Sequence, residues 1–379
     1  MNIHVSLVET VDNSYDIKIG SGLFDDLIRD LQNGLVPNVS RFAIITDSNT
    51  KKLYGDALLE NMRKNGFNSD LLCIEAGEVS KTRETKSKLE DELLAKGYGR
   101  DSCVIALGGG VVTDISGFIA GTFGRGVPYI NYATTFVAAT DASVGGKCAV
   151  NTPVATNLIG IFYQPKKVYI DIDTWKTLPL REMQCGLAET IKHAIIADAE
   201  FFKFLEDNLD IILRDYRTGA NYQIFEHIAK RNCEIKHSVV SRDERESGLR
   251  QILNLGHTAG RALEALNNYN YLHGEAVSVG IVIQAIIAND LGFLTKEDMA
   301  RVVLILKRAG LPTQIPDNIS TQDLVNKLYT DKKVRKNKIY FVLQDGIGKI
   351  KMFDGRYSKE LSEKYLYDII SKSRAGDMK

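Results

Sequence analysis

Two histidines and one glutamate of this chain occur in contexts that suit metal coordination. His257 lies in the segment LNLGHT and His273 in YLHGEA, each beside a glycine and a predicted helix, whereas Glu189 lies in the helical segment GLAETIKHA. One carboxylate and two neutral imidazoles leave open positions on a divalent cation, as in catalytic zinc sites. Simpler interpretations remain open, because Glu189 could be a surface residue and each histidine a satisfied polar group. His193, one helical turn after Glu189, is a competing ligand.

Basic residues near the same segments form a second group. A lysine within an apolar helix is costly unless its ammonium group is solvated or paired. Together with Glu246, these residues would suit an anionic, polyhydroxylated substrate that carries a carboxylate or a phosphate. Taken singly, each has a simpler interpretation as a surface residue. The group consists of Lys147, Lys192, Lys236, Arg250 and the adjacent pair Lys332 and Lys333.

A glycine turn offers a place for a dinucleotide. Gly108, Gly109 and Gly110 follow a buried strand predicted at 103–107 and precede a helical segment at 115–123. Backbone N–H groups in such a turn can approach a pyrophosphate, and the helix dipole favours its negative charge. The alternative is a tight turn that needs glycine only for its backbone conformation.

Other polar residues also follow predicted strands, where ligands of open α/β sheets bind. Asp47 could accept a hydrogen bond from a ribose hydroxyl, or it could simply cap the next helix. The remaining residues of this set are Gly77, Glu78, Lys81, Thr134 and Thr135.

The elements that must position these residues change character near residue 180. Before it, short apolar runs alternate with helical segments, which is typical of βαβ units around a parallel sheet. After it, helical periodicity dominates. We therefore predict an α/β dinucleotide-binding domain at 1–180 and a mainly α-helical domain at 181–379. The predicted strands are 42–46, 71–75, 103–107 and 128–132, with a strand pair at 338–343 and 349–353; the predicted helices are 86–96, 182–198, 199–213, 224–240, 258–267, 275–291 and 296–308.

Composition excludes several classes of protein. Lys and Arg together number 48, equal to Asp and Glu, so the charge bias of a general nucleic-acid binder is missing. The five cysteines are scattered without a CxxC spacing, which argues against a zinc ribbon or a disulfide framework. The first residues lack a signal-peptide pattern, and the longest uncharged apolar stretch is too short for a membrane helix. We expect a cytoplasmic enzyme that binds neither nucleic acid nor membrane.

Several segments, taken in order, resemble the dehydroquinate synthase family of sugar phosphate cyclases. The resemblance covers about residues 40 to 350. The matching segments are AGEVSK, GGGVVTD, GRGVP, ATTFVAATDASVGGK, KTLP, GLAETIKHAIIADAEFF, DERESGLRQILNLGHT, LHGEAV and DKKVRKNKIYFVL.

The resemblance implies a set of site residues and a homodimer. Glu189, His257 and His273 would hold zinc, which cobalt can often replace, and Arg125 would reach the neighbouring subunit's site. The NAD site would comprise Gly77, Glu78, Lys81, Gly108, Gly109, Gly110, Asp114, Thr134, Thr135 and Lys147, with Thr174 and Thr177 near the adenine end. Substrate contacts would fall on Asp141, Lys147, Asn157, Lys192, Lys236, Glu246, Arg250, Asn254 and one or both of Lys332 and Lys333.

The implied reaction converts 3-deoxy-D-arabino-heptulosonate 7-phosphate to 3-dehydroquinate and phosphate. Transient oxidation by NAD⁺ acidifies a neighbouring C–H bond, phosphate leaves by elimination, the hydride returns, and an intramolecular aldol addition closes the ring. Within this scheme the enzyme holds the substrate and polarises a carbonyl, and the substrate's own phosphate takes the proton.

Two departures from the family pattern bear on the substrate. Arg261 stands where the pattern GHTxGH has a second histidine, and it can bind phosphate but cannot carry a proton near neutrality. Thr156 replaces a lysine next to Asn157. The alternative hypotheses are another cyclase that forms valiolone or deoxy-inosose products, a glycerol dehydrogenase-type enzyme, and a catalytically inactive NAD-binding scaffold.

Overall fold

A six-stranded parallel sheet forms the framework of the first half of the chain. The computed structural model describes residues 2–7, 11–153, 155–267, 270–330 and 338–375. The sheet order is β1-β8-β5-β4-β2-β3, whereas β6 and β7 form a separate antiparallel pair. The strands are β1 Asp16–Gly20, β2 Arg41–Asp47, β3 Ser69–Ile74, β4 Ser102–Gly108, β5 Tyr129–Ala133, β6 Lys147–Thr152, β7 Ala155–Phe162, β8 Lys167–Asp171, β9 Ile339–Phe341 and β10 Lys359–Leu361.

The central strand β4 shows why this sheet is parallel and buried on both faces. All seven residues of SCVIALG are buried, so the strand reads as a continuous apolar run. Its alternate side chains enter two different cores: Val104 and Ala106 pack on one face, and Cys103, Ile105 and Leu107 on the other. The parallel connections bring the carboxyl ends of the strands to one edge, where the glycine turn follows β4.

Helices cover the sheet and then form most of the second half. In the second half, α6 and α10 are buried along most of their length. The helices are α1 Phe24–Gln32, α2 Ser48–Thr50, α3 Asp56–Lys64, α4 Arg83–Ala95, α5 Gly110–Thr122, α6 Leu180–Ala197, α7 Ala199–Asp215, α8 Tyr222–Val240, α9 His257–Leu266, α10 His273–Asp290, α11 Lys296–Arg308, α12 Thr321–Thr330 and α13 Glu363–Ala375.

Glycines allow α9 and α10 to approach closely. A Cβ atom on Gly280 of α10 would lie only 1.9 Å from the carbonyl oxygen of Gly256, and one on Gly260 of α9 would lie 3.1 Å from that of Ala276. Neither position has room for a larger residue without movement of the backbone. This packing sets the first residues of the two helices, His257 and His273, side by side.

The predicted architecture is confirmed, with one element wrong. The six predicted helices of the second half are present to within a few residues, and 296–308 coincides with α11. The strand prediction at 349–353 is wrong, because β9 pairs with β10 and only isolated bridges occur around residues 344–356. There the chain turns sharply at Gly346 and Gly348, both at positive φ. The sequence does not predict strands β1, β6, β7, β8 and β10, and the domain boundary at residue 180 stays a prediction.

The helices in the described part of the chain fall short of the length or apolar content needed to span a bilayer. All five cysteines are free thiols.

Candidate active site

Helices α6, α9 and α10 bring the three predicted metal ligands together. Oε1 of Glu189 lies 3.2 Å from Nε2 of His273 and 3.6 Å from Nε2 of His257. The ligand atoms of the three residues all lie within 4.8 Å of one another. Ligands about 2.0–2.1 Å from a tetrahedral zinc ion would lie about 3.3 Å apart, so the observed spacing suits such an ion.

The hydrogen bonds of these residues leave the correct atoms free for a cation. Nδ1 of His257 lies 3.0 Å from the carbonyl oxygen of Leu255, and Nδ1 of His273 lies 2.8 Å from Oε1 of Glu264. Both acceptors require a protonated Nδ1, which leaves Nε2 to face Glu189. The Glu189 side chain is fully buried, with Oε2 paired with Lys192 and Oε1 facing the two imidazole nitrogens. A buried carboxylate beside two imidazole nitrogens therefore fits a divalent cation.

The electrostatics of the triad agree with this assignment. Burial lowers the pKa of His257 well below its ordinary value, and the nearby Lys192 and Arg261 add to this, so the imidazole is neutral. Burial would also lower the pKa of His273, but the carboxylates of Glu264 and Glu189 outweigh it and raise that pKa to about 10. A proton and a cation thus compete for Nε2 of His273.

The competing ligand His193 belongs to a different cluster that already contains cations. Its Nε2 lies 3.8 Å from Oδ1 of Asp141, and these two residues with Glu189 form a second group of possible ligands. However, Lys236 pairs with Asp141 at 2.7 Å, and Lys192 pairs with Oε2 of Glu189. A metal ion there would face two ammonium groups, so His257 and His273 are the better partners for Glu189.

The predicted basic residues converge beside the triad. Lys192 and Lys236 are buried, and Asp141 accepts from Lys236 through both its carboxylate and its carbonyl. Burial opposes the charged forms, but Glu189 and Asp141 outweigh it and raise the pKa of Lys192. Burial also raises the pKa of Asp141, yet Lys236 and Lys192 outweigh it and hold that pKa well below its ordinary value.

Arg250 is the exception in this group because its charge lacks a carboxylate partner. It is 1% exposed, and its guanidinium donates to the carbonyl oxygens of Gly145 at 2.8 Å and Glu244 at 2.5 Å. Across the residues that the structure covers, no ion pair is recorded for it, and its Nε has no partner. A buried guanidinium whose recorded hydrogen bonds go to carbonyl oxygens can still pair with an anion.

Three further predicted residues form a chain between the two halves of the protein. Nζ of Lys147, at the start of β6, lies 2.5 Å from Oε2 of Glu246, and Oε1 of Glu246 accepts from Asn254 at 2.5 Å. Glu246 has φ of 59°, a left-handed conformation that is strained for this residue type. The contact therefore holds Glu246 between a lysine from the first half of the chain and an asparagine from the second half.

The glycine turn forms the junction between β4 and α5, as predicted. A Cβ atom on Gly108 would lie 2.7 Å from Val112, and one on Gly109 would lie 2.9 Å from Thr135. The first N–H groups of α5 have no partner within the helix and face the carboxyl edge of the sheet. Thr134 lies at the same edge and donates its N–H to the carbonyl of Gly108. This turn and edge fit the phosphates of a dinucleotide.

A buried ion pair lies at the same carboxyl edge of the sheet. Nζ of Lys81, which is 6% exposed, lies 2.5 Å from Oδ2 of Asp114 and 3.9 Å from Oε1 of Glu78. Burial would lower the pKa of Lys81, but Asp114 and Glu78 outweigh it and raise that pKa. Gly77, at φ 111°, starts the turn that carries Glu78 to this position.

Asp47 and the two threonines after β8 have structural partners. Oδ1 of Asp47 accepts from the N–H groups of Asn49 and Thr50, so the helix-cap interpretation is confirmed and the ribose contact stays a prediction. The Thr174 hydroxyl donates to the carbonyl of Asp171, and the Thr177 hydroxyl donates to that of Thr174. These contacts fix the turn after β8, and contact with the adenine stays a prediction.

The remaining predicted residues are less enclosed. Asn157 is exposed at φ 54°, and Arg125 is exposed at φ 71° on the turn after α5. Arg261 is partly buried on α9, one turn after His257. Lys332 and Lys333 lie outside the described residues.

Three residues that organise the site are not predicted from the sequence. Asn151 donates to Glu78 at 2.7 Å and accepts the N–H of Asn157 at 3.0 Å, so it joins two predicted binding segments. Asp243 accepts from three backbone N–H groups of the loop that carries Glu246. Glu264 contacts His273. Only Glu264 had a signal, because it lies seven residues after His257 and therefore on the same face of α9.

Comparison with known proteins agrees with the resemblance in sequence. Residues 71–185 match the family model described as 3-dehydroquinate synthase N-terminal, and residues 186–334 match the one described as 3-dehydroquinate synthase C-terminal. The 3-dehydroquinate synthase of Caldanaerobacter subterraneus subsp. tengcongensis is 45% identical over 345 residues, which cover 91% of this chain and 95% of that protein.

Two solved structures share the fold over nearly their whole length. The 2-epi-5-epi-valiolone synthase of Streptomyces hygroscopicus subsp. jinggangensis 5008, with NAD⁺ and Zn²⁺ bound, has a TM-score of 0.86 at 26% identity and covers 99% of this chain and 100% of its own. A 2-deoxy-scyllo-inosose synthase in complex with carbaglucose-6-phosphate, NAD⁺ and Co²⁺ has a TM-score of 0.84 at 25% identity, with coverage of 94% and 96%.

Proposed function

This chain belongs to the 3-dehydroquinate synthase family, and from that premise we propose that it converts 3-deoxy-D-arabino-heptulosonate 7-phosphate to 3-dehydroquinate and phosphate. The observation that carries the proposal is the convergence of Glu189, His257 and His273 beside buried cations. A net-neutral redox cycle and the loss of phosphate would make the enzyme a carbon–oxygen lyase.

Two cofactors fit the residues that are present. Glu189, His257 and His273 would hold a divalent cation, zinc or cobalt, and the glycine turn with Lys81 and Asp114 would hold NAD⁺. When bound, NAD⁺ would accept and return a hydride, and the cation would polarise substrate oxygens as a Lewis acid.

The basic residues suit the two anionic groups of the substrate, its carboxylate and its phosphate. Arg250 would pair with one anionic group because its guanidinium is buried and its recorded hydrogen bonds, within the described part of the chain, go to carbonyl oxygens. Lys192 and Lys236 are paired with Glu189 and Asp141, and they would donate to substrate oxygens from fixed positions. Arg261 would contact the phosphate.

Proton movement during elimination would involve the substrate itself. The C–H bond next to the new carbonyl would lose its proton to a phosphate oxygen, and the C–O bond would break with its electron pair leaving on phosphate. Glu246 would orient Lys147 and Asn254 around the reacting carbons, because both contact its carboxylate. The chain thus supplies orientation and charge, which are the principal requirements of this chemistry.

The other predicted residues complete the proposal. Asn157 would contact the substrate, and one or both of Lys332 and Lys333 would join it. Arg125 would reach the neighbouring subunit's site in a homodimer. We also propose a cytoplasmic location.

The test is an activity assay on purified, metal-loaded protein with NAD⁺. Phosphate release from the seven-carbon acid phosphate, without net accumulation of NADH, is the expected result. Turnover only of hexose or heptulose phosphates that lack a carboxylate would instead favour the cyclases that form deoxy-inosose or valiolone products. Net NADH accumulation would favour a polyol dehydrogenase.

Matched histidine variants connect this assay to the proposed site. His257→Ala should abolish turnover and lower the zinc content. His227→Ala is the control, because His227 lies on α8 and packs against Phe204 at 4.6 Å between ring centroids, apart from the triad. Equal turnover in the two variants would contradict the ligand assignment.

A further inference from the structure

Glu264 is an enclosed carboxylate that none of the steps above uses. It lies on α9, and its side chain is 12% exposed. Its Oε1 accepts a hydrogen bond from Nδ1 of His273 at 2.8 Å. Because an ionised carboxylate only accepts hydrogen bonds, this contact requires a proton on Nδ1 and leaves Nε2 for Glu189.

The two histidines of the triad are held by different partners. Nδ1 of His257 faces the neutral carbonyl of Leu255, at 3.0 Å, within its own chain segment. Nδ1 of His273 faces a charged carboxylate from another helix. A carboxylate acceptor makes the stronger hydrogen bond and increases the electron donation of the opposite ring nitrogen. His273 is therefore the more strongly oriented and more basic ligand of the pair.

The position of Glu264 links the two helices. Helix α9 begins at His257 and carries Glu264 two turns later, so one helix provides the first imidazole and the partner of the second. The close packing of α9 on α10 holds the His273 ring between Glu264 and Glu189.

From this geometry we propose that Glu264 is a positioning residue for the metal centre: it fixes the tautomer and the ring orientation of His273 and so increases the affinity for the divalent cation. This inference rests on the metal site of the proposed function, but it concerns affinity and not turnover.

The test compares zinc affinity in Glu264→Ala and Glu264→Gln by competition with a chromogenic chelator. Glu264→Ala should weaken zinc binding about 10- to 100-fold. Glu264→Gln should recover part of this loss, because the amide oxygen still accepts from Nδ1 without a charge. A cobalt-loaded sample gives a second measurement, since the visible absorption bands should change with the orientation of His273.

A control separates this effect from a general loss of stability. Glu206→Gln removes a comparably enclosed carboxylate, 19% exposed and paired with Arg301, that lies on α7 away from the triad. This variant should keep the wild-type zinc affinity even if its melting temperature falls. Because the chain has only six histidines, nitrogen-15 labelling should also show the hydrogen-bonded Nδ1 proton of His273 in the zinc-loaded wild type and its loss in Glu264→Ala.

Two outcomes are distinguishable. Wild-type zinc affinity and an unchanged cobalt spectrum in Glu264→Ala would overturn the proposal, whether or not the enzyme turns over. Loss of zinc affinity in Glu264→Ala would support the role of Glu264 even if the zinc-loaded wild type failed to release phosphate from the seven-carbon substrate, and that failure would contradict only the proposed reaction.

Discussion

Replacing Arg261 tests how this chain recognises the phosphate of its substrate. Arg261 lies one turn after His257, and its charge lowers the pKa of His257, so it faces the metal triad. The structure records no ion pair for Arg261 among the described residues, which leaves its guanidinium available to an anion. Arg261→Ala removes that charge and creates no buried unpaired carboxylate.

The expected loss follows from one charged hydrogen-bonding partner. Such contacts contribute about 1.5–3 kcal/mol, and the partial exposure of Arg261 favours the lower end of that range. A loss of about 1.5–2 kcal/mol raises KM about 13- to 30-fold. The kcat should change much less, because Arg261 would bind phosphate in both the ground state and the transition state.

The assay is steady-state phosphate release at saturating NAD⁺ and zinc, across pH 5.5 to 9. Arg261→His should keep a KM near the wild-type value at low pH, where the imidazole is charged, and it should lose affinity as the pH rises past about 6.5. The wild type should lack that ionisation, since arginine stays charged. A KM within twofold of the wild type in Arg261→Ala would refute the phosphate contact.

The other predictions concern buried charge, acid stability and metal. Lys81→Met leaves Asp114 without its cation and should lower the free energy of unfolding by about 3–5 kcal/mol. The double variant Lys81→Met, Asp114→Leu should recover most of this loss of stability. Urea unfolding measures the free energy of unfolding of both variants. Burial lowers the pKa of His193 from about 6.5 to about 4, so the unfolded chain binds more protons than the folded chain between these pH values. The free energy of unfolding should therefore fall by about 2–3 kcal/mol as the pH drops through that window. His193→Gln should flatten this dependence in unfolding curves at pH 7 and 4.5. Zinc at one hundred times its Kd should stabilise the metal-free protein by about 2.7 kcal/mol in calorimetry, and His257→Ala should remove this response.

The sequence predicts the framework well where one periodicity dominates. Helix α11 is found at the predicted bounds because its apolar positions recur at helical spacing between a Thr295 cap and basic residues in the last turn. The buried strand β4 is predicted correctly because its sequence is a continuous apolar run. By contrast, β9 and β10 are three residues long and pair across the seventeen intervening residues 342–358, so no local pattern identifies the partner.

The candidate site likewise contains residues that the sequence identifies and residues that it does not. Residue types and the resemblance identify Glu189, His257 and His273, because those segments carry rare histidines beside glycines. Asn151 and Asp243 could not be found, because their importance comes from hydrogen bonds to backbone groups of segments that only the fold brings close. The choice of metal ligands between His193 and the pair His257 and His273 likewise depends on the positions of the Lys192 and Lys236 side chains.

The distribution of charge in the site gives a role to buried ion pairs whose desolvation is unfavourable. Glu189 divides its carboxylate between two tasks, with Oε2 against Lys192 and Oε1 against the imidazoles, so the position of one ammonium group is tied to the metal site. Asp141 fixes Lys236 in the same manner. These pairs contribute little net charge and instead hold donors in place, whereas the recorded partners of the buried Arg250 guanidinium, among the described residues, are carbonyl oxygens and the Phe162 ring. Binding of a substrate with two anionic groups would therefore give that guanidinium a direct anionic partner, and the resulting stabilisation would depend on the fixed geometry of the surrounding pairs.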